Sequence, residues 1–318
     1  MITAKDVKKA GRAAGADLVG IASMDRFDGA PKQMDPRYIM PDARAMIVFA
    51  HRIPRGSLRG IEEGTFFASY SMMGYAGINF VRMPMILWNV TSFLEDNGYD
   101  ALPIANEFPW SAINGKDGSP RQGWSRPVSA DRPAPDVLIH FRISAFLAGL
   151  GEIGYSKVFL TPEFGPRQRF GGILTNAPLE PDPLYEGAPL CDRCMRCAKT
   201  CSGKAISTEE TVKVRLAGRD VEWGKLDEDR CTIAFRGGNP ERNPFVLDQT
   251  PSKIMWHGEA WEGACGCMRE CLIHLEERDA LKNRFQQKFR QREVWKLPAD
   301  WKKDIAPSAP RLDPTKGT

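Results

Sequence analysis

The sequence predicts a mixed α/β (α+β) domain over residues 1–184, a small cysteine-rich domain over 185–275, and a basic helix with a tail over 276–318. Three observations carry that division. Helix-like and strand-like apolar patterns alternate through the first half. All eight cysteines lie between Cys191 and Cys271. Between the two regions, residues 178–190 hold four prolines, the composition of a linker.

A first helix is predicted over 3–15, with Thr3 as N-cap, Val7, Ala10 and Ala14 on one face, and Gly15 at the exit. Residues 18–22 and 45–50 are continuous apolar runs and read as buried strands. A long helical stretch follows over 64–97, closed by Asn97-Gly98; it is apolar on most sides and so largely buried. A further strand is expected over 99–104. Residues 106–135, rich in Pro, Gly, Trp and Ser, read as a long ordered loop of the kind that usually has a function. A helix over 142–150 and strands over 158–160 and 172–175 complete the domain. Near the C-terminus, residues 275–297 read as a basic helix. Its Phe285, Phe289 and Trp295 pack on the body, and Lys282, Arg284, Lys288, Arg290 and Arg292 form a solvated face.

Hydrophobic residues make up 42% and charged residues 26% of the 318, an ordinary balance for a globular protein and enough chain to bury a sizeable core. The net charge of +4 is too small to imply nucleic acid by itself. The N-terminal residues carry neither an apolar h-region nor a twin arginine, and no apolar stretch is long enough to span a bilayer. A cytoplasmic protein with no membrane partner is the expectation.

The cysteines carry the chemistry. Cys191-x2-Cys194-x2-Cys197-x3-Cys201 has the bacterial ferredoxin spacing, in which the fourth cysteine serves the other cluster of a pair. Cys231, Cys265, Cys267 and Cys271 follow, so two [4Fe–4S] clusters use the whole set. Zinc favours two C-x2-C pairs separated by a longer loop. A disulfide framework belongs to short secreted chains.

Other segments carry a resemblance. Ala148-Gly-Leu-Gly-Glu152, Thr161-Pro-Glu-Phe-Gly-Pro-Arg-Gln-Arg169 and Leu174-Thr-Asn-Ala-Pro-Leu179 resemble the corrinoid-dependent reductive dehalogenases. So do Tyr70-Ser-Met-Met and Phe93-Leu-Glu-Asp-Asn-Gly-Tyr-Asp-Ala-Leu-Pro103. Asp229-Arg-Cys231 resembles a motif that those enzymes share with the epoxyqueuosine reductases. The resemblance covers roughly residues 1–275. It implies a base-off cobalamin (corrinoid) in the first domain and a ferredoxin-like second domain with two clusters, one near the cobalamin. Carried over, Cys191, Cys194, Cys197 and Cys271 hold one cluster, and Cys201, Cys231, Cys265 and Cys267 the other. The chain departs from the pattern at Ser202 and Leu272, where proline is expected, and at Cys265-Gly-Cys267, which is one residue short. It also lacks the Asp-x-His-x-x-Gly signature of cobalt ligation by histidine.

The implied chemistry is reductive cleavage of a carbon–halogen or related bond in a small organic substrate, an organohalide among the candidates. An external donor such as ferredoxin or flavodoxin supplies the electrons. Arg169 is the first choice for a cation facing the substrate, with contact to a cofactor phosphate or a carboxylate as the alternative. Asp136 is a candidate acid, with a helix N-cap as the alternative. Tyr70, Tyr75 and Tyr155 are candidate proton donors, the first two being equally readable as core residues. His140 could shuttle protons or be structural. Gly149, Leu150, Gly151, Gly154, Thr161, Pro162, Gly165 and Arg167 are expected to line the cofactor, the glycines by allowing close backbone approach or else simply turning the chain. Two other readings stand beside this one. The first is an epoxyqueuosine reductase-like enzyme acting on tRNA, disfavoured because the chain ends before a helical-repeat domain; nucleic acid is therefore not the expected partner. The second is a non-enzymatic electron-transfer protein.

Overall fold

The computed structural model describes residues 2–106, 126–235, 237, 239, 241–244 and 266–300. Helix α1 (Ala4–Ala13) starts at a reciprocal capping box: Thr3 Oγ1 accepts the Asp6 N–H at 3.3 Å, and Asp6 Oδ2 accepts the Thr3 N–H at 3.0 Å. The two bonds satisfy donors that a helix start leaves open. Strands β1 (Leu18–Ser23) and β2 (Ala45–Arg52) follow, at nearly the predicted places.

After β2 the single predicted helix over 64–97 is divided. Helix α2 (Arg55–Glu63) ends on Gly64 at φ +69°. A π-helix then runs for 13 residues, Tyr70–Arg82, into α3 (Met83–Asp96). Most π-helices are single turns. Here Tyr70, Ile78, Met83 and Leu87 face inward, while Met72, Met73, Val81, Met85 and Trp88 are exposed.

Strand β3 (Ala101–Ile104), helix α4 (Phe141–Leu147), the short strands β4 (Glu152–Ile153) and β5 (Phe159–Leu160), and β6 (Gln168–Thr175) complete the first region. The main sheet has the order β1-β2-β6-β3 and is antiparallel at every pairing. The alternation of helix and strand therefore yields an α+β arrangement. The β1–β2 connection returns to the adjacent position through short 3-10 turns, without the helical crossover that a parallel pair requires.

Side chains of β2 alternate between two cores. Ala45, Ile47 and Phe49 pack with Val7, Met83 and Leu87 on one face. Met46, Val48 and Ala50 pack with Phe146, Phe170 and Leu174 on the other. Both faces are covered, which accounts for the unbroken apolar run in β2.

The cysteine-rich region contains helix α5 (Arg196–Lys199), strands β7 (Ile206–Leu216) and β8 (Arg219–Leu226), and helices α6 (Glu228–Phe235) and α7 (Gly266–Glu277). The β7–β8 hairpin turns at Ala217 and Gly218, both at positive φ. Its Val221 and Trp223 join the core of Met46 and Phe170, so the two regions share one interior across residue 184.

The predicted basic helix over 275–297 is corrected. Helix α7 stops at Glu277, Asp279 takes a left-handed φ of +54°, and residues 278–300 run as an irregular strap. The apolar spacing that suggests a helix reflects separate anchors. Phe289 is 1% exposed, Trp295 meets Phe67 edge-on at 5.7 Å, and the Trp295 indole N–H donates to the Ile61 carbonyl at 2.9 Å. The basic residues are not all solvated: Arg290 pairs with Glu62 and Glu270. Among the described residues no helix is long and apolar enough to cross a membrane.

Candidate functional site

Seven of the eight cysteines are described, and none of the seven is in a disulfide; Cys265 lies outside the described residues. Arg193 and Met195 both adopt left-handed φ, near +60°, which coils the Cys191–Cys197 loop tightly before α5. Helix α5 in turn packs on α7, which carries Cys267 and Cys271.

Burial pushes the Cys197 thiol up to about 11, with Cys191 and Cys194 adding to the rise. Burial also lifts Cys271 well above the ordinary range, helped by Cys191, Cys197, Cys267 and Cys194. Cys267 is pushed up to about 12, by burial and then by Cys231, Cys197 and Cys201. Burial and then Cys201 raise Cys231. The thiols thus form two neighbourhoods, Cys191/Cys194/Cys197/Cys271 and Cys201/Cys231/Cys267, which meet at Cys267. Partly buried thiols crowded in this way resist ionisation unless a metal takes up the charge. Two sulfurs already accept backbone N–H groups: Cys191 Sγ from Tyr155 and Cys201 Sγ from Ala205, each at 3.3 Å.

A second group lies on β6. Arg169 Nη2 donates to Tyr70 Oη at 3.3 Å, and the Arg169 guanidinium stands 4.1 Å from the Tyr75 ring centre. Tyr75 packs against Phe235 at 5.9 Å, and Phe235 ends the helix that carries Cys231. Strand β3 covers β6 only from Gly172 to Thr175, so on that side Gln168–Gly171 has no paired strand among the described residues.

Arg142, on α4, belongs to the same region and escapes the sequence reading. Its side chain reaches solvent. Even so, desolvation lowers its affinity for the proton, with Cys267, Arg169, Cys231 and Glu228 as its charged neighbours. Those neighbours place Arg142 near Arg169 and the Cys231 and Cys267 thiols. The available signal was a cation in the first turn of a helix, where the macrodipole disfavours it.

The remaining candidates are dispersed. Tyr155 is buried and donates its hydroxyl to the Ser207 carbonyl at 2.9 Å. Asp136 sits exposed at φ +58° on the wall of a cavity of about 500 Å³, with Leu102, Ile104, Ile139 and Phe141. It does not cap α4; His140 does, its Nδ1 accepting the Ile143 N–H at 3.3 Å. Burial, together with Arg142 and Lys157, lowers His140 to about 4.

The expected cofactor-lining set turns inward. Arg167 is 1% exposed and donates to the Ile53 carbonyl at 2.6 Å and to Asn283 Oδ1 at 2.7 Å. A Cβ at Gly149 would lie 2.1 Å from the Pro183 carbonyl oxygen, and one at Gly151 2.0 Å from that of Leu160. Gly154 abuts Leu160 and Gly165 abuts Leu275. Leu150 packs over Gly20, Thr161 Oγ1 accepts the Phe164 N–H, and the Pro162 carbonyl accepts the Lys282 N–H. These positions form a packing seam, and their close approaches are to the protein's own backbone and side chains.

No family model matches the chain. The tetrachloroethene reductive dehalogenase of Dehalobacter restrictus (strain DSM 9455 / PER-K23) is 28% identical over 306 residues, covering 84% of this chain and 47% of the relative. The epoxyqueuosine reductase of Bacillus anthracis is 28% identical over 124 residues, covering 39% of this chain and 27% of the relative. The chain is thus similar to reductive dehalogenases over most of its length and to epoxyqueuosine reductases over a shorter stretch. It spans about half the length of the curated dehalogenases it matches. Among solved structures, the catabolic reductive dehalogenase NpRdhA in complex with 3-bromo-4-hydroxybenzoic acid superimposes with a TM-score of 0.50 at 21% identity. That match covers 87% of this chain and 37% of the dehalogenase, and it bears on the fold alone.

Proposed function

We propose that the chain is a corrinoid- and iron–sulfur-dependent reductase that cleaves a carbon–halogen or related bond in a small organic substrate. The observation that carries this reading is the crowding of the described thiols into two adjoining sets, with Arg142 and the Arg169–Tyr70 pair close to the second. The donor set fits two clusters: Cys191, Cys194, Cys197 and Cys271 would hold one, and Cys201, Cys231, Cys265 and Cys267 the other. A corrinoid would be held at the stretch of β6 without a paired strand, beside Arg142 and Arg169. When bound, these groups supply single electrons and a strongly nucleophilic low-valent cobalt.

The rest falls to side chains. Replacing halogen by hydrogen takes two electrons and one proton and releases halide. Arg169 offers its guanidinium, held in place by Tyr70 and Tyr75, to the departing anion. Tyr70, buried and held by Arg169, keeps its hydroxyl in one orientation and can deliver the proton. Arg142 adds a second cation beside Arg169 that favours anionic substrates.

The epoxyqueuosine reductase in the comparison favours a second reading, an epoxyqueuosine reductase-like activity on tRNA, and a nucleic-acid substrate stays with it. Anaerobic preparation with iron, sulfide and cobalamin tests the proposal. About eight irons per chain and a cob(II)alamin EPR signal are expected; a chain that retains no corrinoid under those conditions refutes both readings. Turnover of halophenols against epoxyqueuosine-containing tRNA then separates them.

A further inference from the structure

His274 lies one turn beyond Cys271 on α7, on the same side of the helix. Its Nε2 hydrogen-bonds Asp192 Oδ2 at 2.8 Å. Asp192 sits between Cys191 and Cys194, and its Oδ1 accepts the Cys194 N–H at 3.2 Å. One ring nitrogen of His274, a carboxylate oxygen of Asp192 and Cys194 Sγ all lie within 4.8 Å of one another. The pair therefore clamps the first cysteine loop to the helix that supplies Cys271.

The surroundings are lopsided. The His274 side chain is 15% exposed, and its Nδ1 is buried with no hydrogen-bond partner. A buried polar atom left in that state costs free energy unless another group completes it. Asp192 also meets Arg278 Nη1 at 3.2 Å, while Arg196 is engaged with Glu277 at 2.7 Å. His274 is thus the most enclosed of the groups that balance the Asp192 carboxylate next to Cys194.

We infer that Asp192 and His274 are an outer-sphere pair that sets the reduction potential of the cluster held by Cys191, Cys194, Cys197 and Cys271. The inference rests on the cluster assignment above. Reduction adds one negative charge to a cluster, so a nearby carboxylate lowers the potential and a hydrogen-bonded ring that offsets it raises the potential. Outer-shell partners of metal ligands act in this way. The two members should therefore work in opposite directions on one cluster and leave the other alone.

The test is EPR-monitored redox titration of the anaerobically reconstituted full chain and of His274→Phe, His274→Gln and Asp192→Asn, with iron, sulfide and zinc determined for each. His274→Phe is expected to keep both clusters and move one midpoint to lower potential. Asp192→Asn is expected to move that same midpoint upward, and His274→Gln, whose amide can still donate to Asp192, to lie nearer the wild type than the Phe variant. Unchanged midpoints in His274→Phe, or shifts of the same sign in the Phe and Asn variants, overturn the inference. So does loss of iron in both His274 variants, or zinc bound in the wild type and lost with His274, since either makes the ring a ligand. A wild-type chain that takes up no iron fails earlier, and refutes the cluster assignment itself.

Discussion

Arg169 Nη2 donates to Tyr70 Oη across 3.3 Å, and this contact couples a strand residue to a π-helix that would otherwise be read as plain core. The buried phenol and the guanidinium fix each other, so each side chain has one orientation to offer a ligand. Arg169→Ala should lower turnover by about 10²–10³-fold, the usual effect of losing one preorganised stabilising group. Tyr70→Phe should lower it by about 10²–10⁴-fold if its proton is used. In both variants the iron content and cluster EPR should match the wild type. Steady-state kinetics on iron-quantified protein decide the matter; iron loss in Arg169→Ala would make the arginine a scaffold for the thiol sites.

Much of this site was legible in the sequence, because cysteine spacing carries its chemistry openly and Arg169 sits in a motif. The glycines were not. A sequence shows that Gly149 and Gly151 need room, but only the fold shows that the Pro183 and Leu160 carbonyls fill it. The β7–β8 hairpin was overlooked although Val212, Val214 and Leu216 alternate with Lys213 and Arg215. Its exposed polar residues dilute the apolar alternation that marks a strand. The strap was misread because Phe285 and Phe289 have helical spacing; their partners lie on other elements, and tertiary contact overrides local pattern there.

Glu62 is 4% exposed and faces both Arg269, itself 4% exposed, and Arg290. The cluster joins α2, α7 and the strap. Removing its carboxylate leaves buried positive charge uncompensated, a loss of about 3–5 kcal/mol. Glu62→Ala should therefore show a large drop in thermal midpoint. Glu63→Ala, at the half-buried neighbour of Arg59, should cost under about 1 kcal/mol. Comparable losses in the two variants would mean that the buried network is not what holds the strap.

His140 gives the fold an acid sensitivity whose sign is fixed. Its folded value of about 4 lies below the ordinary 6.5, and the Nδ1 lone pair that caps α4 exists only while that nitrogen is unprotonated. Between those values the unfolded chain binds the proton and the folded chain does not. Stability is therefore full above about pH 6.5 and falls as pH drops toward 4, by on the order of 3 kcal/mol. Asparagine caps helices well and does not titrate. Urea midpoints at pH 7.5 and pH 5 should fall less for His140→Asn than for the wild type, and equal falls would assign the acid sensitivity to other groups.

The glycine seam separates packing from ligand binding. Gly149 is at φ +73° and Gly151 at φ +155°, and an added Cβ would strike a backbone oxygen at either position. Backbone cannot yield as a flexible side chain can, and the left-handed φ adds strain of about 1–3 kcal/mol. Gly149→Ala and Gly151→Ala should both melt well below the wild type, and by the same amount with and without added cobalamin. If these glycines instead clear space for a corrinoid, the variants should melt like the wild type alone and lose only the stabilisation that the ligand brings. Paired thermal melts with and without cobalamin distinguish the two, and the 2.0–2.1 Å approaches to protein oxygens favour the first outcome.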